Sequence, residues 1–513
     1  MKKNNLNNII TLIILYLLGA VYLIIAFNYK INISSFLYFD WKVQNGFNTF
    51  LKYIIEMNEF PYHGSFYDIS NIITKPSDMA YDFPVRYFAI GISYTPITLP
   101  FLKIISLNSF TILNHILAYS FGFLGMLLWK NKFKLNSLCV ILYFFLILFN
   151  GAVLSKIFVG HLIFTGFGQY FYPIIFFILY KILYIYPQDG YKKNKYIIYL
   201  SLSLLFLSSF SNIISIFHIL LGIVILNIIF FKRIKDFLII YLFSILILCY
   251  WWLPTINFSI YLETNTRVMN AGFGFYNFVN NEINIIDHDK YSNILIKILF
   301  HLKNIIYQFY LSLVTSFSPH HDGNWEWGFF IGRNMLIIIL LFFLYDFCTS
   351  QKKIDYRYLI FFLILTLLST SIIFQKLNFF LNYIFGKNFS IPDRLPTRIF
   401  QFEMYILILI FIIGINRYMQ EKLTKNKNLL LKLIIFFSLI PLMINALKWL
   451  PFKFYNNNFL IIEKSVRNSY APKIYDFPKD FLYIKLVNIG FCITLFTIIM
   501  FVIYFIYCNK KVR

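Results

Sequence analysis

Apolar runs long enough to cross a lipid bilayer recur along this chain of 513 residues. A helix needs about 20 apolar residues to cross a hydrocarbon core of about 30 Å, because each residue adds about 1.5 Å. Charged residues make up only 13% of the chain, which is about half the share that is usual in soluble domains. The runs lack the alternation of polar and apolar residues that the strands of a membrane barrel show. We therefore predict an all-α, polytopic helical membrane protein.

The Lys and Arg residues lie mostly in short clusters between the apolar runs, and the net charge is +24. Such clusters mark the cytosolic loops of membrane proteins, so the charge does not indicate nucleic-acid binding. One segment, 86–106, is ambiguous because it is apolar but contains Pro96, Pro100 and Lys103. If it spans the membrane, the cluster KNKFK at 130–134 falls outside. An interfacial position keeps that cluster inside, and the charge rule favours this choice.

With that choice, the sequence predicts about twelve transmembrane helices in the cell membrane, with both termini in the cytosol. The predicted helices cover residues 9–27, 109–129, 137–155, 162–185, 196–210, 212–231, 236–253, 327–346, 357–374, 398–416, 429–446 and 486–507. The chain would form a single transmembrane domain, and its large outer segments would be 28–108, 254–326, 375–397 and 447–484. Because a rigid scaffold positions such segments, we expect the functional residues on them, at the extracytoplasmic face.

The first outer segment carries the candidate catalytic residue, Asp40. From Val43 to Met57, apolar residues recur at helical spacing, which predicts an amphipathic helix lying on the membrane surface. Asp40 precedes this helix at the boundary between water and lipid, where its carboxylate could act as a general base or orient a ligand. The alternative is an N-cap that accepts hydrogen bonds from the free amides of the helix.

Two further candidates stand at the outer ends of predicted helices. His161 follows Gly160 at the start of the helix 162–185. It is a donor to a phosphate or hydroxyl group, a proton carrier, or a hydrogen-bonded interface residue with no functional role. Trp252 lies near the end of the helix 236–253. It suits an aromatic belt, and the alternative is substrate binding by stacking against a sugar face.

A cluster of charges precedes the helix 398–416. Pro392 and Pro396 bracket Asp393 and Arg394, which disfavours a continuous helix, and Arg398 follows shortly after. The two guanidinium groups can present planar forks to a phosphate, with Asp393 assigned to substrate binding. The alternative is that both arginines extend to the membrane surface from a helix end. Positive charge at an outer helix end runs against the usual inside bias, which favours the phosphate-binding role.

The sequence gives little evidence for a metal site or a nucleotide-binding site. His320, His321 and Asp322 are consecutive, and adjacent residues converge on one ion less readily than spaced His pairs. The chain contains no P-loop, GxGxxG, HExxH or GxSxG motif in the required context. We therefore assign no metal ligand and no certain cofactor, and leave a divalent-metal requirement open.

Four stretches together form a recognisable pattern. The first is FDWKVQNGFNTFLKYIIEMNEFPY at 39–62, and the second is the non-spanning apolar stretch at 86–106. The third is GHLIFTGFGQYFYP at 160–173, and the fourth is IPDRLPTRIF at 391–400. This set resembles the GT-C superfamily of integral-membrane glycosyltransferases. The last two stretches are similar to motifs of uncharacterised bacterial and archaeal relatives, including YfhO-like proteins.

The resemblance implies an inverting sugar transfer at the outer face of the membrane. The donor would be a polyprenyl-phosphate-linked sugar, and the acceptor a glycan, a lipid or a protein. Asp40 would accept the proton of the acceptor hydroxyl group, and Arg394, Arg398 and His161 would neutralise the leaving phosphate. Many members carry a second acidic residue in the first outer segment, and the candidates here are Asp68, Asp78 and Asp82.

Two other functions remain as alternatives. A transporter or flippase for lipid-linked sugars would need polar residues along a path through the spans. The predicted spans hold few charges, chiefly Lys181, Asp346 and Glu403, which argues against ion-coupled transport but not against a largely apolar lipid path. A non-catalytic membrane assembly protein would tolerate the loss of the candidate charges.

Overall fold

The structure is a computed structural model, and it describes most of the predicted helices. The described residues are 2–32, 99–159, 168–210, 213–229, 234–250, 252–253, 329–348, 397–421, 425–448 and 481–512, with the single residues 303, 306, 310, 313, 360 and 364.

Regular structure within these ranges is entirely helical, which confirms the all-α class. The α-helices are α1 (Lys2–Asn32), α2 (Leu99–Ile104), α3 (Leu107–Phe133), α4 (Ser137–Tyr143), α5 (Gly151–Val159), α6 (Tyr172–Tyr180), α7 (Gly190–Phe210), α8 (Ile213–Ile229), α9 (Ile234–Ile247), α10 (Arg333–Cys348), α11 (Thr397–Glu421), α12 (Lys425–Lys448) and α13 (Phe481–Val512). Two π-helical segments, Phe144–Leu148 and Lys181–Ile185, continue α4 and α6, and a 3₁₀ turn at Gly168–Tyr170 precedes α6.

Six helical segments in the described ranges are long and apolar enough to cross a membrane. They are Ile9–Ala26, Ser109–Phe133, Gly168–Ile185, Phe402–Gln420, Leu429–Leu447 and Lys485–Tyr507. A bent pair, Ser137–Leu148 with Gly151–Ile157, would bring the number to seven. Large apolar side chains on these helices are exposed, including Ile14 at 56% and Phe496 at 63%, as expected of surfaces that face lipid. These six segments are compatible with a helical membrane protein, while the count of about twelve spans stays a prediction.

Two helices begin at other residues than the sequence predicts. The helix predicted at 196–210 begins earlier, at Gly190, and includes the basic cluster. Asp189 accepts a hydrogen bond from the Lys192 amide at 3.0 Å and so acts as its N-cap. The helix predicted at 327–346 begins later, at Arg333, because residues 329–332 are not helical and Gly332 has a φ of 81°.

The chain folds as two compact units, and the first comprises residues 1–11, 133–155 and 265–449. Within it, α11 packs against α4, and α10 packs against α11 and α12. Asn416 of α11 donates a hydrogen bond to the Phe133 carbonyl at 3.1 Å and accepts one from the Asn136 amide at 3.0 Å. Asn136 in turn caps α4 by accepting from the Cys139 amide at 2.9 Å. One buried amide thus satisfies the backbone of the turn before α4.

The second unit comprises residues 12–132, 156–264 and 450–513. Within it, α7 packs against α6, α8 and α9, and α9 packs against α13. A Cβ atom on Gly490 of α13 would lie 2.6 Å from the Cys249 carbonyl oxygen. One turn later, the Thr494 hydroxyl accepts from the Tyr250 amide at 3.1 Å and donates to the Ile247 carbonyl at 3.2 Å. Small and hydroxyl residues of this kind permit close packing of helices in membranes.

Candidate functional site

Most residues assigned to the site from the sequence lie outside the described ranges. These are Asp40, His161, Asp393 and Arg394. The backbone of Arg398 lies in the first turn of α11, which begins at Thr397. Their roles in catalysis and phosphate binding, and their proximity to one another, stay predictions.

Trp252 is described, and its indole group bonds to its own helix. The indole Nε1 atom donates to the Ile245 carbonyl at 2.7 Å, and the Trp252 amide donates to the Leu248 carbonyl at 3.1 Å. The side chain is half-buried. This arrangement suits a Trp that anchors a helix end at the membrane surface, and the role in sugar stacking stays a prediction.

The structure describes only the end of the segment 86–106, so its predicted interfacial position stays a prediction. Within the described residues 99–106 of this segment, α2 covers Leu99–Ile104. Ser106 separates the two helices and accepts a hydrogen bond from the Ser109 amide at 3.2 Å, which makes it the N-cap of α3.

A buried polar cluster that was not predicted from the sequence lies near the start of α3. Thr111, Asn114 and His115 occupy one helical face and are each at most 2% exposed. The His115 Nε2 atom lies 3.2 Å from the Tyr170 hydroxyl oxygen, at hydrogen-bonding distance. The two rings meet edge to face with centroids 5.5 Å apart. Gln169, next to Tyr170, is also buried.

The cluster is unusual because buried polar groups in a membrane domain are costly. An ionisable side chain such as that of His115 within a predicted span commonly marks a functional site. The signal was present in the sequence, since Thr111, Asn114 and His115 recur at spacings of three and four within an apolar run. On the predicted topology, the start of α3 and the start of α6 both face the outer side of the membrane.

A second polar site lies in the first unit, where the predicted continuous helix 137–155 is broken. The helix bends by 45° between its two parts. Asn150 lies at the break and is fully buried. Its Nδ2 atom donates to the carbonyls of Leu146 and Ile147 at 3.2 Å and to the Tyr405 hydroxyl at 3.0 Å. Its Oδ1 atom accepts from the Val153 amide at 3.0 Å.

The geometry of the break requires both the Asn and the Gly that follows it. Breaking a helix in an apolar environment leaves carbonyl and amide groups to be satisfied, and Asn150 satisfies groups on both sides. A Cβ atom on Gly151 would clash with the side chain of Phe330, and the Gly151 amide donates to the Phe330 carbonyl at 3.3 Å. The dipeptide Asn-Gly inside an apolar run is a turn signal that would have predicted the break.

Charged residues within the described spans are few. Glu403 in α11 is 1% exposed, and Lys156 in α5 is fully buried. Among the described residues, no group of three or more His, Cys, Asp and Glu side chains could hold a metal ion. The sequence His320-His321-Asp322 lies outside the described ranges.

Comparison with known proteins found no family model, no curated protein and no solved structure that matches this chain.

Proposed function

We propose that this chain is a membrane glycosyltransferase that moves a sugar from a polyprenyl-phosphate donor to an acceptor at the extracytoplasmic face. The observation that carries the proposal is the buried pair His115 and Tyr170, with Nε2 and the hydroxyl oxygen 3.2 Å apart. Tyr170 belongs to the stretch GHLIFTGFGQYFYP, and His115 lies on the helix that follows the first outer segment. The pair therefore places a residue of the GHLIFTGFGQYFYP stretch, to which the GT-C resemblance assigns part of the site, against the helix that follows the first outer segment.

The proposed reaction transfers the sugar in one displacement. The acceptor oxygen attacks the anomeric carbon, and the bond from that carbon to the phosphate oxygen breaks. Asp40 takes the acceptor proton, and the polyprenyl phosphate leaves with the electron pair. Arg394, Arg398 and His161 stabilise the charge that grows on the phosphate, as positioned donors do in a site that excludes water.

The buried polar cluster on α3 would support this site from the membrane side. His115 and Tyr170 offer a ring nitrogen and a hydroxyl group in an apolar environment, where hydrogen bonds are electrostatically stronger than in water. Asn114 is 1% exposed and adds an amide to the same helical face. Such groups can orient sugar hydroxyls without changing the charge of the site.

The test is sugar transfer by the purified full chain in liposomes that contain a radiolabelled polyprenyl-phosphate sugar. Asp40→Asn should lower the rate by a factor of about 10² to 10⁴, the usual contribution of a general base. Glu59→Gln removes a carboxylate from the same outer segment and should leave the rate unchanged. Normal transfer by Asp40→Asn would exclude the assignment.

The break at Asn150 favours a second candidate, a flippase for lipid-linked sugars. Broken helices with polar groups at the break are common where transporters bind substrate and change conformation. A fluorescent polyprenyl-phosphate sugar, quenched from one side by an impermeant reductant, would report its movement between leaflets. Movement that depends on Asn150, together with no sugar transfer, would favour the flippase over the glycosyltransferase.

A further inference from the structure

Lysines and aromatic rings form a continuous group at one end of the second unit. The Lys181 ammonium nitrogen lies 5.3 Å from the centroid of the Phe177 ring, 5.6 Å from that of Tyr186 and 5.9 Å from that of Tyr196. The rings of Tyr186 and Tyr196 stack with centroids 5.4 Å apart. A cation over aromatic faces is held by the negative potential of the rings, so the Lys181 side chain has a defined position.

Two membrane-spanning segments end together at this group. Trp129 of α3 packs against Tyr180, with ring centroids 5.7 Å apart, and its indole nitrogen donates to the Pro173 carbonyl at 2.9 Å. Lys132 follows one turn after Trp129, and Lys181 follows Tyr180 directly. Trp129 also meets the Phe177 ring edge to face, with centroids 5.3 Å apart, and Lys181 lies over the same ring, so the two helix ends are adjacent.

Some lysines at this end of the second unit form an ion pair with a carboxylate, and others do not. Lys192 pairs with Asp189 at 3.2 Å, and Lys193 pairs with Asp236 at 2.7 Å. No carboxylate among the described residues lies within ion-pair distance of Lys132 or Lys181. Two cations at adjacent helix ends, with no anion from the described part of the chain, attract anions from their surroundings.

We propose that Lys132 and Lys181 bind the phosphate of an anionic phospholipid at this end of the second unit. The lipid phosphate would lie between the two ammonium groups, and the rings of Trp129 and Tyr180 would contact the glycerol region beside it. Charge complementarity favours this occupant, because both lysines stand at the ends of membrane spans, where lipid headgroups are the most abundant anions. The proposal does not depend on the sugar-transfer reaction.

The lysines also stand at helix C-termini, where they can offset the helix dipole without any ligand. This simpler role predicts no preference between lipids. A role in lipid binding predicts that anionic lipid is retained in preference to zwitterionic lipid, and that the preference depends on Lys132 and Lys181.

The experiment is native mass spectrometry of the purified full chain with dioleoyl-phosphatidylglycerol or dioleoyl-phosphatidylcholine added in detergent. The variant Lys132→Gln/Lys181→Gln should retain phosphatidylglycerol about thirty-fold less well, the factor expected from two lysines beside an anionic headgroup. Its retention of phosphatidylcholine should not change, which also shows that the variant is folded.

A matched pair of single variants sharpens the test. Lys181 and Lys192 both lie over the Tyr186 ring, at 5.6 and 5.5 Å from its centroid, but only Lys192 has a carboxylate partner among the described residues. Lys181→Gln should lower phosphatidylglycerol retention about five-fold, whereas Lys192→Gln should leave it unchanged and Lys181→Arg should preserve it. Equal losses in Lys181→Gln and Lys192→Gln, or an unchanged double variant, would overturn the proposal.

Discussion

Replacement of Asn150 by Ala should destabilise the first unit by about 2–3 kcal/mol. The N-cap bond to the Val153 amide contributes about 1 kcal/mol. The bond to the Tyr405 hydroxyl contributes about 0.6 kcal/mol, the average between helices in a membrane. The carbonyls of Leu146 and Ile147 together lose about 1 kcal/mol, because Ala offers them no donor in a site closed to water. The free energy of unfolding can be measured by equilibrium unfolding of the full chain in mixed micelles.

Two controls separate these contributions. Asn136 caps α4 through the Cys139 amide at 2.9 Å, and its Nδ2 atom donates to the Met419 sulfur, a weak acceptor, at 3.4 Å. Asn136→Ala should therefore cost about 1 kcal/mol, the value of an N-cap. A double-mutant cycle of Asn150→Ala with Tyr405→Phe should give a coupling energy of about 0.6 kcal/mol. A loss at Asn150 no larger than that at Asn136, with no coupling to Tyr405, would refute the role assigned to the break.

Three further predictions concern the second unit. Gly490→Ala should lower the free energy of unfolding by about 1–3 kcal/mol by overpacking against Cys249, whereas Gly190→Ala, which meets no atom within 4 Å, should not destabilise; equal melting temperatures for the two variants would contradict the packing. A double-mutant cycle of His115→Ala with Tyr170→Phe should show a coupling energy of about 0.6 kcal/mol, and both single variants should slow sugar transfer; unchanged transfer would make the pair purely structural. Trp252→Phe removes one hydrogen bond to the backbone and should cost about 1 kcal/mol, and a change in sugar KM would add evidence for stacking.

The glycosyltransferase proposal and the lipid-binding proposal can fail independently. Loss of transfer in Asp40→Asn tests chemistry in the outer segments, whereas lipid retention tests lysines that the charge rule places on the opposite side of the membrane. Lys132→Gln/Lys181→Gln should therefore lose phosphatidylglycerol without losing the capacity for transfer. A chain inactive in transfer could still bind the lipid.

The helices of the described ranges could largely be predicted from hydropathy. The predicted spans 109–129, 429–446 and 486–507 lie within α3, α12 and α13. Each residue contributes to membrane transfer through its own side chain, so a sliding count of apolar residues finds such spans without knowledge of the fold. Helix ends were less predictable, because a single side-chain bond can decide where a helix begins. For example, Asp189 accepts from the Lys192 amide and caps α7 before the predicted start of that helix.

The candidate sites were predicted less completely than the spans. Charges at the outer ends of helices are conspicuous in a sequence that is only 13% charged. The catalytic and phosphate-binding roles were therefore assigned mainly to these residues. Uncharged polar residues such as Thr111 and Asn114 are common in this chain, and only burial distinguished them. Their spacing on one helical face is a weak signal until the neighbouring helix is known.

Composition and the order of apolar and basic residues are enough to predict a helical membrane protein, because the transfer of a side chain into lipid is a local property. The break at Asn150 depends on Tyr405, which is 255 residues away in the chain. The His115 pair likewise depends on Tyr170, 55 residues away. Such hydrogen bonds form only when the helices pack, since the partner of a buried polar group is set by the fold and not by its neighbours in sequence.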